Sequence, residues 1–112
     1  MPFFTKFYEL FYVNGVKTIP ANIAVYITPI SLAFWIMDDG NWNHGLVLNT
    51  QSFSTEGVSL LVSAINQNFG VSSYMRLEKK QPVIYIPKKD VSIIAEAVKE
   101  FMHPSTHYKL GL

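Results

Sequence analysis

The stretch from Thr28 to Gly40, reading TPISLAFWIMDDG, constrains this chain more than any other part of it. Thr28-Pro29 reads as an N-cap followed by proline at the first helical position, where a missing N–H costs nothing. From Ile30 to about Asp38 the helix is apolar nearly all round: Leu32, Ala33, Phe34, Trp35, Ile36 and Met37. A helix without a polar face must be buried on all sides, so the rest of the fold has to wrap around it. Gly40 supplies the stop. The end breaks a local rule, because Asp38 and Asp39 sit where the helix dipole is negative. Each such placement costs roughly 0.3–1 kcal/mol at an exposed site, and a bound cation would reverse the sign. On these three residues alone, a solvated Asp-Asp-Gly stop and a cation-binding end are equally good readings.

On the N-terminal side, Phe3, Phe4, Phe7, Leu10 and Phe11 fall at helical spacing and predict a helix that stops at Asn14-Gly15. Val16 to Ile19 is extended up to Pro20, and Asn22 to Ile27 forms one helical turn. Residues 1–27 are thus a lead-in helix and linker, and 28–112 the core. After Gly40 the pattern becomes β: in Gly45 to Phe53, Leu46, Leu48 and Thr50 alternate with Val47, Asn49 and Gln51. Thr55 caps a second helix with Glu56 in its first turn. Its stripe is Val58, Leu61, Val62, Ile65 and Phe69, and Gly70 closes it. Val71 to Leu77 is a strand, Glu78-Lys79-Lys80-Gln81 a turn and Val83 to Ile86 the return strand of a hairpin. Asp90 caps a third helix that buries Ile94, Ala97, Val98 and Phe101, and Pro104 prevents its continuation. The core order is α-β-β-α-β-β-α, an α+β architecture with an antiparallel sheet and its helices on one face.

With 112 residues there is room for one small domain. The chain has no cysteine, which excludes disulfides and thiolate zinc sites. No apolar run reaches the roughly 20 residues needed to span a bilayer. A content of 49% hydrophobic and 15% charged residues is rich for a lone monomer and points to surface covered by a partner. The net charge of +1 is weak for a nucleic-acid binder, so the distribution of the charges matters more than their sum.

Leu32-Ala33-Phe34-Trp35-Ile36-Met37-Asp38-Asp39-Gly40 resembles the LAGLIDADG signature of homing endonucleases. Thr28-Pro29-Ile30-Ser31 before it, Leu48-Asn49-Thr50-Gln51-Ser52-Phe53 after it, the hairpin Pro82-Val83-Ile84-Tyr85-Ile86 and the closing Tyr108-Lys109-Leu110 are also similar to the second halves of single-chain organellar members. The likeness runs from about Thr18 to Leu110 and implies the same αββαββα half-domain.

In that family two signature helices pack together, and each brings one acid to a paired site. The resemblance implies that Asp39 is the catalytic acid and metal ligand, with Mg²⁺ (or Mn²⁺) as cofactor. Asp38 lies about 100° round the helix from it. Gln51 matches a polar residue that helps to place active-site water, and Lys109 a basic residue near the scissile phosphate. Ala33, Phe34 and Met37 would face the partner helix. Phe34 stands where the family has a small residue, and Met37 where it has a first acid, so two features favouring close helix contact are absent. One motif in the chain implies that the second acid comes from another LAGLIDADG chain, as a homodimer or a separate first half.

Arg76, Lys79, Lys80, Lys88 and Lys89 fall within fourteen positions on the second hairpin and its exit. Both hairpins form a saddle on DNA in the family, which adds Asn49 and Tyr74 to the nucleic-acid-binding set. Solvation of a charged hairpin edge is the competing reading of the lysines. His103 and His107, without a third nearby ligand, read as surface residues. The expected function is a site-specific, divalent-metal-dependent DNA endonuclease subunit. The alternatives are a domesticated RNA-binding form, as an intron maturase or a subunit of an organellar ribosome or other ribonucleoprotein, and an inactive fragment of a longer gene. Met1 to Val13, aromatic with Lys6 as its one base, is unlike a secretory signal or transit peptide. The resemblance to organellar members implies a mitochondrial protein, or one of another organelle, and a protein that works there without such a leader is expected to be organelle-encoded.

Overall fold

The computed structural model describes residues 12–13, 16–17, 19, 21–50 and 53–112. The predicted helix over Phe3–Phe11 and the candidate Gln51 lie outside the described residues. The expectation that helix continues to Asn14 is corrected: β1 (Tyr12–Val13) pairs antiparallel with β2 (Val16–Lys17), Tyr12 opposite Lys17 and Val13 opposite Val16. An Asn-Gly dipeptide in a sequence is as compatible with a hairpin as with a helix stop.

A 3-10 turn at Ile23–Tyr26 leads to helix α1 (Pro29–Asp39). A reciprocal cap starts it. Ser31 N–H donates to Thr28 Oγ1 at 3.2 Å, and Thr28 N–H donates to Ser31 Oγ at 2.8 Å. Strand β3 (Gly40–Trp42) follows directly, then β4 (Gly45–Asn49). Helix α2 (Thr55–Phe69) is capped by Ser54, whose side chain accepts from Gly57 N–H, rather than by Thr55 as expected. Either hydroxyl could have served, and the first helical dihedrals begin one residue later. Gly70, at φ 68°, ends the helix in the left-handed conformation.

Strand β5 (Tyr74–Glu78) begins three residues later than predicted. Ser72 and Ser73 give their backbone N–H groups to side chains instead of to a ladder. Asn66 Oδ1 accepts from Ser73 N–H at 2.7 Å, and Asp90 Oδ2 accepts from Ser72 N–H at 3.0 Å. Asp90 therefore clasps this loop and does not cap its own helix. Strand β6 (Gln81–Pro87) leads into α3 (Lys88–Val98), and a 3-10 turn at Lys99–Phe101 follows it. The buried row of α3 is Val91, Ile94, Ala95 and Val98, not the expected row with Ala97 and Phe101. The 3-10 turn advances about 120° per residue, which swings Phe101 outward and Met102 into the core.

The four-stranded sheet has the order β3-β4-β6-β5, antiparallel throughout. Leu46, Leu48, Ile84 and Ile86 on one face join Leu32, Trp35, Ile36, Leu61, Ile65, Ile94 and Val98 from the helices in one core. Each such side chain contributes about 1.5–3 kcal/mol by leaving water. This is the predicted α+β arrangement. A last 3-10 segment, Pro104–Leu110, packs on β3 and α1. No described helix is long and apolar enough to cross a membrane.

Candidate active site and nucleic-acid interface

Helix α1 is not buried on all sides within this chain, as its composition predicted. Leu32, Ala33, Trp35 and Ile36 are buried, whereas Ile30 is 50% and Phe34 44% exposed and Met37 is half-buried. These three follow one another at helical spacing and form an apolar strip along the helix, with Val25 and Tyr26 exposed just ahead of it. Ala33, expected on the partner-facing side, lies in the chain's own core, and Ile30 is the residue that completes the strip.

The strip ends at the two acids. Asp38 is exposed and Asp39 half-buried. Burial, and then the charge of Asp38, push the Asp39 carboxyl above the usual aspartate range, against a smaller opposing pull from Lys109. Three contacts fix this helix end. Gly40 N–H donates to Ile36 O, and Gly40 has to be glycine because a Cβ there would stand 2.5 Å from that carbonyl oxygen. Lys109 Nζ donates to Met37 O at 2.6 Å, across 72 residues of sequence. Asn49 Nδ2 donates to Asp39 O at 3.0 Å. Helix-end carbonyls have no partner within the helix, so the lysine and the amide both satisfy them and set the direction of Asp39. The burial of Leu110, and the packing of Gly111 on the Trp42 indole, hold the turn that carries Lys109.

Of the expected site residues, the structure brings Asp39 and Lys109 to the same helix end. Asn49, expected on the nucleic-acid surface, gives its amide N–H to the helix end. The five bases expected to cluster fall into separate places. Lys79 and Lys80 form the tip of the β5–β6 hairpin, both with positive φ (52° and 66°). Lys88 and Lys89 begin α3, at the other end of the seven-residue strand β6, about 20 Å away by strand rise. Adjacency in sequence became separation in space because an extended strand lies between the two pairs.

The sheet face away from the core carries Tyr74, Arg76 and Tyr85, with Tyr74 opposite Tyr85 and Arg76 opposite Val83. Tyr85 is a residue that the sequence reading missed. The available signal was a lone tyrosine alternating with Ile84 and Ile86, the mark of a strand with one uncovered face. The two tyrosine rings lie 5.4 Å apart. His103 and His107 are engaged locally, with Ser105 and with Lys99 O, and among the described residues no group of three potential metal ligands stands together.

Residues 1–94 match the model of the LAGLIDADG DNA endonuclease family. This chain belongs to that family. It is 37% identical to "Probable intron-encoded endonuclease 1" of Wickerhamomyces canadensis, over 96% of this chain and 50% of that protein. It is 32% identical to "Cytochrome b mRNA maturase bI2" of Debaryomyces hansenii, over 96% of this chain and 42% of that protein. Among solved structures, the homing endonuclease I-WcaI bound to its DNA recognition sequence matches with a TM-score of 0.84 and 36% identity, over 96% of this chain and 51% of that one. The LAGLIDADG chain described here therefore spans about half the length of these relatives.

Proposed function

We propose that this chain is one half of a site-specific DNA endonuclease, hydrolysing phosphodiesters at a site completed by a second LAGLIDADG half-domain. The observation that carries the reading is the end of α1: an uncovered apolar strip leads to Asp39, and Lys109 is bound to the same helix end. A second helix laid along Ile30, Phe34 and Met37 would bring its own terminal acid beside Asp39.

The donor chemistry suits Mg²⁺ or Mn²⁺ in kind, since a carboxylate is a hard oxygen ligand, and two half-domains would supply the number that one lacks. Asp39 would hold the ion with its counterpart. Bound there, the ion would neutralise the charge that develops on the phosphate. Asp39 is prepared for this by burial that disfavours its charge without a cation. Lys109, lying beside it, would donate to a phosphate oxygen as charge builds up. The outer sheet face, with Tyr74 and Arg76, would lie in the major groove, and Lys79 and Lys80 would reach phosphates from the hairpin tip. Lys88 and Lys89, at the opposite end, would meet the backbone farther along the duplex.

A second reading, an RNA-binding role as an intron maturase or organellar ribonucleoprotein subunit, is favoured by the maturase among the relatives. The name of that relative, with its cytochrome b transcript, also supports a mitochondrial setting. The deciding experiment is Mg²⁺-dependent cleavage of a randomised duplex library by the chain, beside Asp39→Asn. Cleavage lost in the variant supports the endonuclease. Intact DNA with retained RNA binding by a folded chain moves the assignment to the second reading.

A further inference from the structure

We propose that Arg76, mounted on the face of Tyr85, reads a guanine in the DNA site. This rests on the DNA-binding reading above and adds the base to it.

The mounting is built in layers. Tyr85 Oη donates to His44 O at 2.8 Å, and His44 holds that carbonyl from a left-handed conformation (φ 57°). The phenol ring lies directly over Gly45, where a Cβ would stand 2.5 Å from the hydroxyl oxygen. A glycine inside a strand marks just such a close approach. Tyr74 flanks the ring. Arg76 Cζ sits 4.4 Å from the ring centroid, and its Nη2 lies 3.3 Å from Glu78 Oε1. An exposed ion pair of this kind adds little stability, so orientation is its main consequence.

Two contrasts separate base reading from phosphate binding. Phosphate contacts suit charges on mobile stems, such as Lys79 and Lys80 at the tip. Arg76 is restrained from two sides and has less freedom to lose on binding. Glu78 beside it would repel a phosphate, whereas the O6 and N7 atoms of guanine accept two donors from a guanidinium fork and bring no net charge. Lysine cannot reproduce the fork.

The test is selection of bound duplexes from a randomised library by the full chain, with Ca²⁺ in place of Mg²⁺, followed by sequencing. Arg76→Lys and Tyr85→Leu are run beside the wild type, and a thermal melt reports their folding. Wild type should enrich guanine at a defined position. Arg76→Lys should keep its salt dependence but lose that preference by about ten- to a hundredfold. Tyr85→Leu, which retains the arginine but removes its mount, should weaken the same position and no other. Undiminished guanine preference in Arg76→Lys, or equal loss of affinity for all sequences, overturns the proposal and leaves the DNA reading intact. A wild type that selects no sequence at all overturns both.

Discussion

The β5–β6 hairpin places opposite demands on stability and binding, and one double substitution separates them. Lys79 and Lys80 occupy the two central positions of a two-residue link, both at positive φ. That geometry matches the twist of the strands but favours Asn-Gly, because a side chain with a Cβ loses roughly 1–2 kcal/mol in the left-handed region. Replacing Lys80 by glycine relieves this strain, offset by about 0.4–1 kcal/mol of extra freedom in the unfolded chain. Asparagine at 79 tolerates the conformation better than lysine. The net gain for Lys79→Asn/Lys80→Gly is about 1 kcal/mol, or a rise of ~4–8 °C in Tm for a domain of this size. Binding should move the other way. Two phosphate contacts contribute about 1.8 to the slope of log K against log salt, which the variant should lose. Differential scanning calorimetry measures the first quantity and fluorescence anisotropy over a salt series the second. A lower Tm refutes the strain argument, and an unchanged slope refutes the assignment of the tip to phosphates.

Other perturbations probe the acid end and the strip. Asp39→Asn should abolish cleavage yet stabilise the folded chain at neutral pH, because the raised carboxyl pKa means that the fold disfavours the ionised form. The gain should be full above the raised value and vanish as pH falls below about 4, where the wild-type acid is protonated folded or unfolded; urea melts across pH check it. Lys109→Met removes the donor to Met37 O and should cost about 1 kcal/mol in a melt while lowering cleavage far more. Phe34→Glu should shift Tm by only a few degrees, since the ring is 44% exposed, but reduce cleavage at least tenfold by spoiling the strip. Equal losses of stability and activity there would refute a partner-facing role.

What could be read from the sequence follows the range of the forces involved. The boundaries of α1 and α2 were legible because Thr28, Pro29, Gly40 and Gly70 act locally, within one turn. The meeting of Lys109 with Met37 was not, since 72 residues separate them and the resemblance implied only a base near the scissile phosphate. The bond from Asn49 to the Asp39 carbonyl was not legible, because alternation with Gln51 indicates a strand face but not which acceptor lies nearby; that carbonyl comes from the helix end next to the strand. The apparent basic cluster dissolved for a geometric reason, strand length. Asp90 went to Ser72 because a carboxylate at a helix start serves any unpaired N–H within reach, and the loop's N–H was there.

The end of α1 joins these strands of reasoning. A helix terminus rich in carbonyls is a poor place for two aspartates, and the chain commits a distant lysine and a strand amide to it without removing the conflict, since Asp39 still carries a raised pKa. The same helix leaves Ile30 and Phe34 in water, which a self-sufficient core would not do. Both deficits point the same way along one axis. A second helix against the strip would bury the apolar side chains, and by bringing another acid it would worsen the charge conflict until a cation entered. Pairing and metal binding should therefore be thermodynamically coupled: a divalent ion should tighten association of the halves, and Asp39→Asn should remove that dependence while leaving the apolar contact in place. Sedimentation of the chain with and without Mg²⁺, in wild type and variant, measures the coupling. Equal metal dependence in both would locate the ion away from Asp39.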